Sequence, residues 1–250
     1  MPDTDAPALP AWQSCLDIEE QSADHYHDYW NQPLLALVRD APRHALELGC
    51  AGGMFGAKLK ERFPQARVTG IEAGRAAAQL AAQRLDRVIV SRLEDIDFAR
   101  EGFQPGELDL VIAADILEHL ANPWQFLVRL RPFVNAGGRV LASIPNARNL
   151  NVILDLVLNG RFRYAERGLL DVTHLRFFAL ADMRRLFEET GYVIEGYDGI
   201  LSPSLAALWK QSQGRPLVQL RKERFSLEAI TQAELAELCT EQFLLSVRVA

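Results

Sequence analysis

Residues 45–56, ALELGCAGGMFG, combine a short apolar run with four glycines and the start of a helical pattern. The apolar run is typical of a buried strand, and helix-forming residues continue from Met54. Glycine allows a tight turn and lets the backbone approach a ligand without a Cβ in the way. The stretch therefore predicts a strand, a glycine loop and a helix in direct succession, with a ligand against the loop.

Strand-like and helix-like segments alternate outward from this stretch. Short apolar runs rich in β-branched residues predict strands at 44–48, 66–72, 87–91, 108–114 and 139–144. Apolar residues spaced three and four apart predict helices at 54–63, 74–85 and 123–134. Such alternation indicates an α/β fold of the doubly wound, Rossmann-like kind, with helices on both faces of a parallel sheet. We expect the ligand at the carboxyl ends of the strands.

Three other segments lie outside this alternation. An acidic stretch with an aromatic cluster that includes Tyr29 occupies 12–40, and we interpret it as an N-terminal lid. Two further segments, 146–178 and 202–240, are expected to be substrate-side insertions around a strand at 192–200. Because no Gly/Ser-rich linker separates these parts, we expect one domain over 1–250, with its cofactor-binding core at 43–145.

Composition excludes several classes of protein. A net charge of −6 opposes sequence-independent nucleic-acid binding, which needs a surplus of Lys and Arg. Three cysteines without CxxC spacing do not form a cysteine-based zinc site or a disulfide framework. The N-terminus is acidic and unlike a signal peptide, and no apolar run reaches membrane-spanning length. We therefore expect a cytoplasmic enzyme without a transmembrane segment.

Two acidic residues flank the glycine loop. Glu72 ends the second expected strand, where a carboxylate can accept hydrogen bonds from a ribose diol. Glu47 precedes the first glycine, where it suits an ammonium group and repels a pyrophosphate. No Lys follows the glycines as in a phosphate-binding loop, and the first glycine of a GxGxxG motif is missing. A ribose with an amino-acid tail and no phosphate describes S-adenosylmethionine, although a plain tight turn remains an alternative.

These motifs resemble a known family. ELGCAGG (47–53) and GIEAG (70–74) look like the first two motifs of class I S-adenosylmethionine-dependent methyltransferases, and 91–98 and 108–146 resemble their later motifs. The run 159–192 is similar to bacterial methyltransferases that accompany glycosyltransferases in surface-polysaccharide pathways. The resemblance implies a seven-stranded sheet whose last strand, 241–249, is antiparallel.

The resemblance also implies a set of cofactor-binding residues. Glu47 would bind the methionine ammonium, Glu72 the ribose hydroxyls, and Tyr29 would belong to a lid over the cofactor. Ala51 stands where the family usually has Gly, which leaves the loop shape intact if its φ is negative. The remaining members of the expected set line the loop, bracket the adenine or lie at the methionine end: Gly49, Cys50, Gly53, Leu93, Glu94 and Asp115.

Candidate catalytic residues follow the fourth expected strand. Asp115, Glu118 and His119 are spaced three and four apart, which predicts that they share one face of a helical turn. His119, with a reference pKa of about 6.5, suits a general base for a hydroxyl acceptor. His174, in the insertion after the fifth strand, is a second catalytic candidate that would meet the acceptor.

The same acidic and histidine residues permit a different interpretation. Asp115-x-x-Glu118-His119 also supplies ligand types for a divalent cation and looks like the arrangement in ubiquinone O-methyltransferases. We treat this metal site as the weaker interpretation and expect no metal.

The predicted function is O-methylation of a sugar, a glycan precursor or another small hydroxylated acceptor, with S-adenosylmethionine as cofactor. A nicotinamide-dependent oxidoreductase is an alternative, but no Tyr has a Lys four residues later. A non-catalytic scaffold that binds the cofactor is another. The sequence leaves open the acceptor, the choice between O- and N-methylation, and a homodimer.

Overall fold

The computed structural model describes residues 29–250. The expected lid at 12–40 therefore lies outside the described residues up to residue 28. Nine strands are described: β1 (His44–Leu48), β2 (Arg67–Glu72), β3 (Arg87–Val90), β4 (Leu108–Ala114), β5 (Val134–Pro145), β6 (Tyr192–Leu201), β7 (Leu217–Lys222), β8 (Phe225–Thr231) and β9 (Thr240–Val249). Eight α-helices are described in the same range: α1 (Gln32–Ala36), α2 (Met54–Arg62), α3 (Arg75–Ala81), α4 (Pro123–Leu130), α5 (Leu150–Asn159), α6 (Leu180–Glu189), α7 (Ala206–Ser212) and α8 (Gln232–Cys239).

Seven strands form one twisted sheet. Their order is β3-β2-β1-β4-β5-β9-β6, and β9 runs antiparallel to both of its neighbours. The other pairs in the sheet are parallel. The predicted fold class is confirmed, including the antiparallel last strand. Because the strand order reverses between β1 and β4, the crevice for a ligand opens at the carboxyl ends of these two strands.

The two faces of the sheet carry the core. Every residue of β1 is buried, as expected for a central parallel strand with helices on both sides. The side chains of β1 alternate between two apolar clusters: Leu46 and Leu48 lie in one and Ala45 lies in the other. Helix α4 begins as predicted, because the Asn122 side chain accepts from the Gln125 N–H at 3.0 Å and Pro123 follows it.

The two expected insertions pack against each other. Helix α5 from the first contacts strand β8 from the second, and α8 contacts both strands of the hairpin β7–β8, so these elements share a third apolar cluster. Its buried members are Leu150, Leu205, Val218, Leu220, Ile230, Leu235, Leu238 and Cys239. We call this unit the accessory lobe, 146–178 with 202–240. Nothing in the sequence signalled its hairpin, because the turn at Glu223 has a φ of 51° without the usual Gly or Asn.

No helix among residues 29–250 is both long and apolar enough to cross a membrane.

Candidate active site

The glycine loop follows β1 and leads into α2. Gly49 has a φ of 61° and Gly53 a φ of 74°, a region that residues with a Cβ rarely adopt. A Cβ at Gly49 would also lie 2.6 Å from Cδ1 of Ile116, at the carboxyl end of β4. The loop therefore requires glycine at both positions, and its turn brings the backbone against the crevice.

Ala51 has a φ of 44°, so the condition stated for it from the sequence fails. The left-handed conformation crowds the Ala51 Cβ, and glycine is the residue that adopts it at little cost. The Ala51 N–H donates to Oε2 of Glu72 at 2.8 Å, and this hydrogen bond helps to hold the loop in its strained form.

Ala51→Gly is expected to stabilise the protein by about 1 kcal/mol, because it relieves this strain. At this chain length the gain corresponds to a rise in melting temperature of roughly 2–4 °C, measured by calorimetry. Ala57→Gly in helix α2 is the matched control, and it should destabilise by about 1 kcal/mol. Equal effects of the two substitutions would contradict strain at Ala51.

Glu72 lies at the end of β2 with its carboxylate fixed from both sides. Oε2 accepts from Ala51 and Oε1 accepts from the Gly74 N–H, each at 2.8 Å. Each oxygen keeps a further lone pair. The carboxylate is therefore oriented by the backbone and can accept two more hydrogen bonds at the edge of the glycine loop.

Glu47 is more deeply enclosed than the sequence suggests. Its side chain is only 5% exposed, and Oε2 accepts from the Gly56 N–H at 3.0 Å, in the first turn of α2. Burial raises the pKa of Glu47 to about 8, against the effect of the Gly56 hydrogen bond. An ammonium group beside it would favour the ionised carboxylate.

Two of the predicted cofactor residues have their side chains in the core. The Cys50 thiol packs against Gly70, where a Cβ would lie 2.5 Å from Sγ, and burial raises the pKa of this thiol. Leu93 is buried in the main apolar cluster. The Cys50 thiol therefore lies under the loop, and a part for Cys50 in cofactor binding, through its backbone, stays a prediction. Glu94 is half-buried, and its carbonyl accepts from Arg129 at 2.7 Å.

Asp115 follows β4 with a φ of 50° and joins a chain of polar groups. Its N–H donates to the Ser143 carbonyl at 3.1 Å, and its Oδ1 accepts from Nε2 of Gln242. The Gln242 Oε1 in turn accepts from Nδ2 of Asn31 at 3.0 Å. Burial raises the pKa of Asp115 to about 7. Asn31 is thereby connected to Asp115 at the carboxyl end of β4 through Gln242, and the sequence analysis missed both Asn31 and Gln242.

Tyr29 lies two residues before Asn31 and is 62% exposed. Its predicted role in a lid remains a prediction.

Glu118, His119 and His174 form one cluster beside Asp115. One ligand atom from each of the three lies within 4.8 Å of the other two. The two imidazole rings are 4.7 Å apart between centroids, and Nε2 of His174 lies 3.9 Å from Oε1 of Glu118. Glu118 is 1% exposed, and neither of its carboxylate oxygens has a hydrogen-bond partner. A buried carboxylate without a partner is costly unless a ligand satisfies it.

The hydrogen bonds around the cluster fix the histidine tautomers. The Thr173 hydroxyl donates to Oδ1 of Asp171 at 2.6 Å, so its oxygen must accept from Nδ1 of His119 at 3.1 Å. Nδ1 of His174 lies 3.3 Å from the Leu169 carbonyl, which can only accept. Both rings therefore carry their proton on Nδ1, and both Nε2 atoms keep a free lone pair.

The prediction that Asp115 shares one helical face with Glu118 and His119 is wrong. Residues Leu117–His119 form a single 3-10 turn, and Asp115 precedes it in the left-handed region. His174 takes the place that the sequence assigned to Asp115 in a metal-binding group. It reaches the cluster because the N–H groups of Leu175 and Arg176 donate to the Glu118 carbonyl at 2.9 and 3.0 Å.

Comparison with known proteins now adds to this geometry. Residues 46–140 match the family described as "Methyltransferase domain". This match supports the expected resemblance to class I S-adenosylmethionine-dependent methyltransferases, and with it the expected enzyme class and cofactor.

The chain is also similar to O-methyltransferases from other organisms. The chain is 26% identical over 63% of its length to the ubiquinone biosynthesis O-methyltransferase of Aeromonas salmonicida, and covers 66% of that protein. It is 29% identical over 66% of its length to the mitochondrial one of Schizosaccharomyces pombe, and covers 60% of it. The match thus spans less than two thirds of each relative. These relatives do not support the expected link to polysaccharide pathways.

A solved structure supports the fold. A SAM-dependent methyltransferase from Archaeoglobus fulgidus superposes with a TM-score of 0.56 at 13% identity, over 82% of this chain and 86% of its own.

Proposed function

We propose that the protein is an S-adenosylmethionine-dependent O-methyltransferase in which Glu118, His119 and His174 hold a divalent cation beside the acceptor hydroxyl. The observation that carries the proposal is that ligand atoms of two imidazoles lie within 4.8 Å of a buried carboxylate that has no hydrogen-bond partner. The nicotinamide alternative has no comparable support, because the matched domain is a methyltransferase domain.

The residues present fit a cation well. Two imidazoles and one carboxylate suit Zn²⁺, Mn²⁺ or Fe²⁺, and a metal-ligating histidine usually donates its other ring N–H to a carbonyl or another fixed acceptor. His119 and His174 both do so, through Thr173 and Leu169. A cation would also satisfy Glu118, whose pKa burial raises well above its usual range when no cation is bound.

Different residues would bind different parts of S-adenosylmethionine. Glu72 would accept hydrogen bonds from the ribose hydroxyls, and Glu47 would bind the ammonium group, directly or through water. Gly49 and Gly53 let the ligand lie against the loop backbone, and Asp115 lies at the methionine end. When bound, S-adenosylmethionine supplies a methyl group on a positively charged sulfur, already a good leaving group.

The chain's own contribution is to align the acceptor and ease loss of its proton. A divalent cation in the cluster supplies Lewis acidity that lowers the pKa of a hydroxyl beside it. The Asp171–Thr173 pair holds the His119 ring, and the Leu169 carbonyl holds the His174 ring. Burial, together with the nearby His174, lowers the pKa of His119 to about 4, so His119 by itself would be a weak general base.

The proposed acceptor is a small compound with a hydroxyl group, and it is not restricted to sugars. The relatives named above act, by their names, in ubiquinone biosynthesis as O-methyltransferases, which favours O- over N-methylation. A sugar or glycan precursor as the acceptor is supported only by the resemblance of 159–192 to methyltransferases of surface-polysaccharide pathways. We therefore propose a small hydroxylated acceptor, with phenolic and sugar hydroxyls as the two classes to compare.

Metal removal tests the proposal directly. After dialysis against EDTA, transfer of labelled methyl groups to a panel of catechols, phenols and nucleotide-sugars is expected to fall by at least about tenfold and to return with Zn²⁺ or Mn²⁺. Calorimetry with Zn²⁺ alone should show one site in the wild-type protein and none in Glu118→Ala.

The outcomes separate the alternatives. Activity unchanged by EDTA would remove the cation from the proposal and leave His119 as the base. A melting temperature raised by S-adenosylhomocysteine without transfer to any acceptor would favour the non-catalytic scaffold. No response to S-adenosylhomocysteine would contradict the cofactor itself.

A further inference from the structure

The accessory lobe presents an exposed apolar surface. The inner face of α5 packs on the hairpin β7–β8, but Leu156 and Val157 on its other side are 49% and 51% exposed. Phe162 and Tyr164 after α5, and Leu175 farther along, are also exposed. A helix at the surface of a water-soluble protein usually turns polar side chains outward. These five side chains define what we call the docking face.

Basic residues surround the docking face. Arg161 and Arg163 alternate with its aromatic residues along the segment after α5, and Arg167 follows them beside Glu166; all four charged residues are exposed. The tip of the hairpin adds three basic residues and one acid, Arg221, Lys222, Glu223 and Arg224. It lies near the end of α5, because the Arg224 guanidinium donates to the Leu158 carbonyl. This local positive charge contrasts with the net charge of −6 of the whole chain. The combination of exposed apolar and basic side chains is typical of proteins that bind anionic lipid surfaces.

A continuous row of rings connects the docking face with the metal-binding cluster. Phe162 and Tyr164 pack on Phe177 with ring centroids 5.2 and 6.3 Å apart. Phe177 in turn lies 6.2 Å from His174, one of the three cluster residues. The docking face therefore lies beside the candidate active site rather than on a distant surface.

We propose that the docking face binds the surface of an anionic lipid bilayer. Its apolar side chains enter the headgroup region and its arginines and lysine lie against lipid phosphates. A twofold dimer through the same face is disfavoured, because it would place the basic residues of one copy opposite those of the other. If the proposed methyltransferase function also holds, the acceptor is carried by or dissolved in that bilayer.

Vesicle co-sedimentation of the purified full-length chain tests the proposal. The protein is expected to bind mixed vesicles of phosphatidylcholine and phosphatidylglycerol, and at least about tenfold less to phosphatidylcholine alone. Arg161→Gln with Arg167→Gln should weaken binding by about twentyfold, since each basic residue contributes a factor of about five. Leu156→Gln with Val157→Gln should weaken it by about tenfold or more.

Matched controls exclude loss of folding and nonspecific effects. Val128→Gln on α4 and Arg100→Gln replace an exposed apolar and an exposed basic residue elsewhere, and should leave vesicle binding unchanged. All variants should melt within a few degrees of the wild type.

Absence of vesicle binding, or equal losses in the controls, would overturn the proposal. So would a dimer in sedimentation velocity that only Leu156→Gln with Val157→Gln dissociates, because the face would then join two copies. None of these readouts requires methyl transfer, so failure of the proposed function would leave the vesicle result intact.

Discussion

His119→Ala and His174→Ala are each expected to lower the rate of methyl transfer by about two to four orders of magnitude while cofactor affinity stays within a few-fold. Both substitutions remove an Nε2 lone pair from the cluster, and neither touches the glycine loop or Glu72. Single-turnover kinetics measures the first effect, and calorimetry with S-adenosylhomocysteine measures the second.

The double variant distinguishes a shared site from two separate contributions. If the histidines hold one cation, removal of either ligand abolishes the site, so the double variant should be no slower than the worse single variant. Rate losses that multiply would instead indicate two independent roles. Binding of Zn²⁺ should disappear in both single variants.

His44→Ala is the matched control for these variants. His44 is also a buried histidine, with Nδ1 2.9 Å from Glu107 and Nε2 3.0 Å from Thr69, but it begins β1 at the opposite end of the sheet. His44→Ala should lower the free energy of unfolding and have little effect on the turnover of the folded protein. A loss of turnover in His44→Ala as large as that in His119→Ala would show that general destabilisation explains both.

Glu72→Gln is expected to weaken the binding of S-adenosylhomocysteine by about two to three orders of magnitude. The carboxylate accepts from Ala51 and Gly74 with one oxygen each, whereas an amide presents an NH₂ group to one of these N–H donors. The variant therefore disturbs the loop and loses charge-assisted hydrogen bonds to the ribose, each of which contributes about 1.5–3 kcal/mol. Calorimetry measures the change.

Asp109→Asn provides the control for this substitution. Oδ2 of Asp109 likewise accepts from two backbone N–H groups, those of Arg43 and His44, at 2.9 and 3.0 Å. It lies at the start of β4, away from the crevice. Asp109→Asn is expected to destabilise the protein about as much as Glu72→Gln does, and to leave the affinity for S-adenosylhomocysteine unchanged. If Glu72→Gln bound the ligand as tightly as Asp109→Asn does, Glu72 would have no part in recognising the ribose.

Local sequence patterns were sufficient for most of the elements in the main sheet. The β1 and β4 bounds agree with the structure, and the remaining predicted sheet strands differ mainly at their ends. Runs of β-branched residues and helical spacings act over a few consecutive residues, so they can be recognised without knowledge of the partner. The hairpin β7–β8 was not predicted because its turn lacks Gly and Asn and its strands lie outside the main sheet, in the third apolar cluster.

Part of the candidate site could likewise be predicted from local sequence, and part could not. Glu47, Glu72 and the loop glycines are encoded in two adjacent βα units, whose parallel pairing brings the strand ends together. The exchange of Asp115 for His174 in the cluster, and the positive φ of Ala51, could not be obtained from spacing. They depend on which backbone groups meet after the accessory lobe packs on the sheet.

The amino-acid sequence by itself determined the sheet, the cofactor loop and the two acids beside it, because glycine spacing and apolar periodicity specify the backbone locally. The tertiary structure alone decided that Glu118 and His119 meet His174, that both imidazoles donate through Nδ1, and that a basic hairpin tip borders the apolar side of α5. Such contacts join residues distant along the chain, and only packing and strand register bring their atoms to within a few ångströms of one another.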